Sequence, residues 1–145
     1  MAMAPSSPEL ENRIQRACAS FPVTVAYLFG SYVQGAADDE SDVDIAVLVK
    51  PGLSALERHD MKLRLIRACS EECGMPLEKM DIVILQDVPV LLQLNVLQRG
   101  KLIFAKSAAV RRAFEIEVER TYEDERPYIE RETELTLERI LAHRA

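Results

Sequence analysis

Along the chain, short runs of consecutive apolar residues alternate with stretches in which apolar residues recur every three or four positions, a pattern that predicts an α/β fold. Val23-Thr24-Val25-Ala26-Tyr27-Leu28-Phe29 reads as a buried strand, rich in β-branched and aromatic residues and punctuated by Pro22 and Gly30. Val43 to Val49, Asp81-Ile82-Val83-Ile84-Leu85 and Lys101-Leu102-Ile103-Phe104-Ala105 supply three more strands. Helical spacing fills the intervals. From about Glu9 to Ser20, Leu10, Ile14, Ala17 and Cys18 share one face. Ser54-Ala55-Leu56-Glu57 is a capping-box pattern and predicts a helix to about Cys73 that Gly74 ends, with Leu56, Leu63, Ile66 and Cys69 on its buried side. Asp87, preceding Val88-Pro89, is expected to cap a helix that continues through Arg99 and stops at Gly100.

Beyond Ser107 the chain becomes charge-rich, with Ala113, Ile116, Val118 and Tyr122 spaced for one helical face. Pro127 is expected to break or kink this helix, since it lacks an amide proton and clashes with the preceding turn. A final amphipathic segment carries Ile129, Leu135, Leu137, Ile140 and Leu141, an apolar stripe larger than a small finished sheet needs. This stripe is expected to cover a partner or a second copy of the chain. The expected architecture is a small mixed sheet of about four strands flanked by helices, with a helical C-terminal extension. Its divisions are a disordered start over 1–8, one domain over 9–126 and an amphipathic helix over 127–145. The short connection between the first two strands predicts antiparallel neighbours, and the strand bearing Asp81 should adjoin the second.

Candidate chemistry concentrates at one place. The first strand ends in Gly30-Ser31, ten residues intervene, and Asp42-Val43-Asp44 opens the second. Gly30 lets a phosphate approach the backbone, and a short helical turn from Ser31 to Gly35 would point free amides at an anion, with the Ser31 hydroxyl as a further donor. Side chains alternate along a strand, so Asp42 and Asp44 share one face while Val43, Ile45, Val47 and Val49 take the other. Ala46 and Leu48 continue the acidic face, so the strand beyond Asp44 is covered on both sides. Two carboxylates so placed repel by roughly 1–3 kcal/mol at an effective dielectric near 20. A shared divalent cation removes that cost, and Asp81, at the start of another strand, is the candidate third ligand. Three such acids beside a phosphate-binding turn are what two-metal phosphoryl or nucleotidyl transfer requires.

Composition narrows the partners. The 145 residues suffice for one domain with a respectable core, and 48% hydrophobic content excludes disorder over most of the chain. A net charge of −6, with Lys and Arg dispersed among acids, disfavours direct binding to a polynucleotide. No apolar run is long enough to span a membrane, and Met1 to Pro8 lacks the basic and apolar regions of a secretory signal, so a cytoplasmic location is expected. The three cysteines include Cys69 and Cys73 on one helical face, but His59 and His143 are distant in sequence. Reduced, half-buried thiols are therefore expected rather than a zinc site or a disulfide. Tyr32 and Arg99 read equally well as core or surface residues and are not counted among the site residues.

The segment from Gly30 to Asp44 resembles the signature of the nucleotidyltransferase superfamily related to DNA polymerase beta, in particular its minimal branch, the MntA-type antitoxins. Gly30, Ser31, Asp42 and Asp44 match directly and Asp81 by context; the tail from Arg120 to Ile129 is similar to that of the antitoxins. The resemblance implies an adenylyltransferase that uses ATP and Mg²⁺, two ions with the nucleotide bound, to place AMP on a tyrosine of a HEPN-type RNase toxin. Asp42, Asp44 and Asp81 would hold the metals, Asp81 would also assist deprotonation of the acceptor, and Gly30 and Ser31 would grip the triphosphate. Two alternatives stay open: transfer to a small molecule such as an aminoglycoside, and a noncatalytic module that masks a toxin by contact alone.

Overall fold

The computed structural model describes residues 7–34 and 41–144. Helix α1 (Ser7–Ala19) leads into strand β1 (Val23–Phe29), a single helical turn α2 (Ser31–Gln34) and strand β2 (Val43–Val49). Helix α3 (Ala55–Cys73), strand β3 (Met80–Ile84), helix α4 (Val90–Arg99), strand β4 (Lys101–Ala105) and helix α5 (Ala108–Arg144) complete the order. The four strands lie in the order β3-β2-β1-β4. β1 is antiparallel to both β2 and β4, while β2 and β3 run parallel, which the α3 crossover permits. The sheet is therefore mixed, with β1 and β2 at its centre.

Alternation along those central strands divides the apolar residues between two cores. Val43, Ile45 and Val47 of β2 face Leu10 and Ile14 of α1 and Leu65 and Cys69 of α3. On the opposite side Ala46 and Leu48 join Val25, Tyr27, Leu85 and Val96, with Phe114 of α5 packed against them. Both faces of the sheet are thus covered by helices, as the apolar continuation of the acidic face of β2 required. Tyr27 reaches across this second face and donates its hydroxyl to Glu115 Oε1 at 2.9 Å, fastening α5 to the sheet.

Helix α3 has the expected ends. Ser54 Oγ accepts the Glu57 amide and the Glu57 carboxylate accepts the Ser54 amide, both at 3.1 Å, and Gly74 closes the helix in the left-handed region at φ 64°. Its buried face differs from the expectation. Met61, Leu65, Cys69 and Cys73 point into the core, Ile66 is partly buried, and Leu56 and Leu63 are 78% and 54% exposed. The spacing 61, 65, 69, 73 is as regular as the one assigned from sequence, so only the position of the sheet selects between the stripes. Leu65→Ala should accordingly cost about 2–5 kcal/mol by leaving a cavity, and Leu63→Ala less than about 0.5 kcal/mol, in denaturant melts.

Three further expectations are corrected. Asp87 does not cap α4. Its carboxylate is held by the Arg58 guanidinium at 2.7–3.0 Å, an ion pair that ties the start of α3 to the turn before α4, and Pro89 takes the N-cap position without a side-chain bond. On α5 the inward positions are Phe114 and Val118, whereas Ala113 and Ile116 are exposed. Nor does Pro127 break the helix: α5 runs through it to Arg144. Pro127 lies on an exposed position, where water can take the carbonyl that its missing N–H leaves without a donor.

Cys18, Cys69 and Cys73 are free and fully buried rather than half-buried. Burial pushes the Cys18 thiol up to about 12 and that of Cys73 to about 11, so both are unreactive as nucleophiles. α1 begins at Ser7, within the expected disordered start; the remainder of that stretch, residues 1–6, lies outside the described residues. Among the described residues no helix is long and apolar enough to cross a membrane.

Candidate active site

The site forms where β1 ends and β2 and β3 begin. Phe29, the last residue of β1, pairs with Asp44, and Asp44 in turn pairs with Asp81 of the parallel neighbour β3. Parallel neighbours point equivalent residues to the same face, so Asp44 and Asp81 stand side by side about 4.8 Å apart along the hydrogen-bonding direction of the sheet. Their carboxyl groups are close enough that each feels the other's charge. Both lie on the face covered by α4 and α5, the face of Ala46, Leu48 and Val83. Asp42 is exposed and precedes β2 rather than belonging to it, so strand alternation does not orient it, but its charge still reaches Asp44.

Gly30 adds the third wall. Its φ of 77° lies in the left-handed region, which turns the chain from β1 into α2. A Cβ built there would fall on the Asp44 carboxylate, inside contact distance of Oδ2 and 3.1 Å from Cγ. Glycine is thus required twice, for the turn and for the approach of Asp44. Ser31 opens α2, and the Val33 amide donates to the Gly30 carbonyl at 3.1 Å, closing the expected helical turn. The Ser31 side chain and Gly35 lie outside what is described. Tyr32 is buried against the first core, and Arg99, at the end of α4, is exposed.

Electrostatics at the ledge are strained. Burial first, then the charge of Asp81, then that of Asp42, push the Asp44 carboxyl up to about 6. Asp44 therefore holds its proton into mildly acidic conditions, as expected of a half-buried carboxyl beside other acids. Among the described residues no group of three His, Cys, Asp or Glu side chains converges as a ready metal cage. What is present is a two-carboxylate ledge with a third acid at its mouth. All donors are oxygens, a set suited to a hard divalent cation that keeps places open for phosphate oxygens or water.

Residues 12–109 match the polymerase beta nucleotidyltransferase family. The chain belongs to that family. This nucleotidyltransferase also shares its fold with solved structures. One, a toxin–antitoxin crystal structure with AMP-PNP, has 23% identity and a TM-score of 0.68, covering 90% of this chain and 98% of that one. A second, an MNT antitoxin in complex with a tri-AMPylated HEPN toxin from Shewanella oneidensis, has 20% identity and a TM-score of 0.64, covering 93% and 98%. A third, from an MntA–HepT toxin–antitoxin, has 20% identity and a TM-score of 0.62, covering 91% and 97%. No curated protein matches significantly.

Proposed function

We propose that this nucleotidyltransferase moves AMP from ATP to a tyrosine of a HEPN-type RNase toxin and thereby acts as its antitoxin. The observation that carries the reading is the pairing of Asp44 with Asp81 beside the Gly30 turn, because adjacent carboxylates next to a turn that brings bare backbone to them suit nucleotidyl transfer. The likeness of nearly the whole chain to antitoxins whose structures hold AMP-PNP or an AMPylated toxin supports the choice of nucleotide and acceptor.

In this reading the triphosphate lies over Gly30 and the first amides of α2, with Ser31 as a side-chain donor. Asp42, Asp44 and Asp81 would hold Mg²⁺, which would supply charge neutralisation for the triphosphate and a lowered pKa for the acceptor hydroxyl. Asp81 accepts the tyrosine proton as the phenolic oxygen forms its bond to the α-phosphorus. The bond from that phosphorus to the bridging oxygen breaks, and pyrophosphate leaves. Adding ATP, Mg²⁺ and a HEPN-type RNase should raise the mass of the RNase by AMP units on a tyrosine. An unmodified RNase under those conditions would refute the proposal.

A pH dependence follows from the raised Asp44 carboxyl. A cation must displace its proton, so Mg²⁺ affinity should be constant above about pH 6 and weaken by up to tenfold per unit below it. Titrations of Mg²⁺ between pH 5 and 8, with ionic strength fixed, read this directly; an affinity flat across that range would count against the ledge as the binding site.

A further inference from the structure

The second face of the sheet carries more exposed apolar surface than its own core uses. A groove of about 810 Å³ opens between α4 and α5, lined by Leu91, Tyr128 and Ile129 with Glu125 and Glu132 on its rim. Leu91 is 49% and Tyr128 72% exposed. A second hollow of about 580 Å³ continues from Leu91 along α4 past Leu94 to Gln98 and Arg99. The two share Pro89 and Leu91, so they adjoin as a track along the outer side of α4.

That track leads to the catalytic ledge. Gly100, which follows α4, packs against the Leu28 carbonyl, and Lys101 pairs with Leu28, one residue before Phe29 faces Asp44. α4 therefore begins at the end of the sheet remote from the ledge and finishes beside it, on the face that Asp44 and Asp81 share. Its ten residues cover about 15 Å.

Charge selects the occupant. Between Glu119 and Arg139 stand eight carboxylates and four guanidiniums. Arg120 and Arg126 are engaged by Glu117, Glu123 and Glu130 on the same helix, whereas Glu125 and Glu132 pair with no cation among the described residues. Two copies of this rim brought face to face would repel, which disfavours the chain itself as occupant. An RNase, by contrast, must present Lys and Arg to hold an RNA backbone. Resting on the function proposed above, we propose that the α4–α5 track docks the protein acceptor: apolar residues of the acceptor fill the groove at Leu91 and Tyr128, its basic residues meet Glu125 and Glu132, and its tyrosine is carried along α4 to Asp44 and Asp81.

The test compares the full chain with Glu125→Arg/Glu132→Arg and with Leu91→Glu, using a HEPN-type RNase as acceptor and following AMP transfer by mass spectrometry. All three substituted positions are exposed, and melting curves confirm that the variants fold. The proposal expects KM for the RNase to rise roughly tenfold or more in each variant, with kcat and the KM for ATP unchanged, and the charge-reversed protein to lose most of the salt dependence of KM. An unchanged KM for the RNase, while the wild-type chain transfers AMP, would overturn the docking track and leave the function standing. Failure of the wild-type chain to transfer AMP at all would remove the function and the track together. A wild-type dimer that Leu91→Glu dissociates without altering KM would assign the groove to a second copy and likewise overturn the proposal.

Discussion

Asp44→Asn is expected to lower nucleotidyl transfer by at least about 10³-fold, the loss that follows when a few kcal/mol of charge stabilisation at the reacting phosphoryl group disappears. The same substitution should stabilise the fold. In the folded chain the Asp44 carboxyl is raised from an ordinary 3.8 to about 6, so between those values the folded state binds more protons than the unfolded one. Stability from this group is therefore fully present below about pH 4, is lost as pH rises towards 6, and stays lost above it. An amide of the same shape carries no such penalty. After allowance for solvent screening, Asp44→Asn should gain about 1–2 kcal/mol at pH 7.5, or a few degrees in Tm, and almost nothing at pH 4. A variant that is inactive yet more stable at pH 7.5 and not at pH 4 would identify the carboxylate cluster as a charge repulsion retained for ligand binding. Equal stability at both pH values would remove that interpretation.

Gly30→Ala is expected to produce the second largest effect. The added methyl group meets the Asp44 carboxylate, and the φ of 77° is unfavourable for any L side chain by roughly 1–2 kcal/mol. Relief comes only by moving the carboxylate off the ledge or by unwinding the turn that leads into α2. Either displacement disorders the site, and transfer should fall by about 10²-fold or more, since a shift near 1 Å at a reacting group has that consequence. Combining the substitution with Asp44→Ala separates the two causes. With the carboxylate gone, only the backbone strain remains, so the stability cost of Gly30→Ala should be smaller in the Asp44→Ala background. Strictly additive costs would mean that the two residues do not press on each other.

The grouping of Gly30, Asp44 and Asp81 was legible in the sequence because its signals are local or enforced by alternation. A glycine at the end of a strand, and acids at the mouths of two others, are placed by β geometry once strand order is known. The sequence also implied that β1 and the strand bearing Asp81 both adjoin β2, but it did not place β4 beside β1. Asp42 was assigned to the wrong local structure: it shares the parity of Asp44 but precedes the strand, and periodicity alone does not mark where pairing starts.

Helix faces were less legible. Leu56, Leu63, Ile66 and Cys69 form a plausible stripe, yet Met61, Leu65, Cys69 and Cys73 are the ones buried. Two stripes of similar apolar content differ only in which one the sheet meets, a tertiary fact absent from the local pattern. Asp87 has the chemistry of a cap but is engaged by Arg58, 29 positions earlier, a contact no window would reveal. Pro127 reads as a break or kink because its cost is counted at a buried or average position, whereas here the helix continues and water can serve the orphaned carbonyl. The apolar tail was correctly read as surplus to the core: Leu135, Leu137, Ile140 and Leu141 are all exposed. The exposed track along α4 escaped notice because Leu91 and Leu94 look like core residues until the helix is seen with its other side packed on the sheet.

Calorimetric titration with AMP-PNP isolates ligand holding by Asp42, Asp44 and Asp81 from acceptor chemistry. The wild-type chain should bind at pH 7.5 in the presence of Mg²⁺, and at least about tenfold more weakly when Mg²⁺ is chelated or Asp44 is replaced by Asn. Equal binding in all three cases, or none in the first, would contradict that role for the three carboxylates.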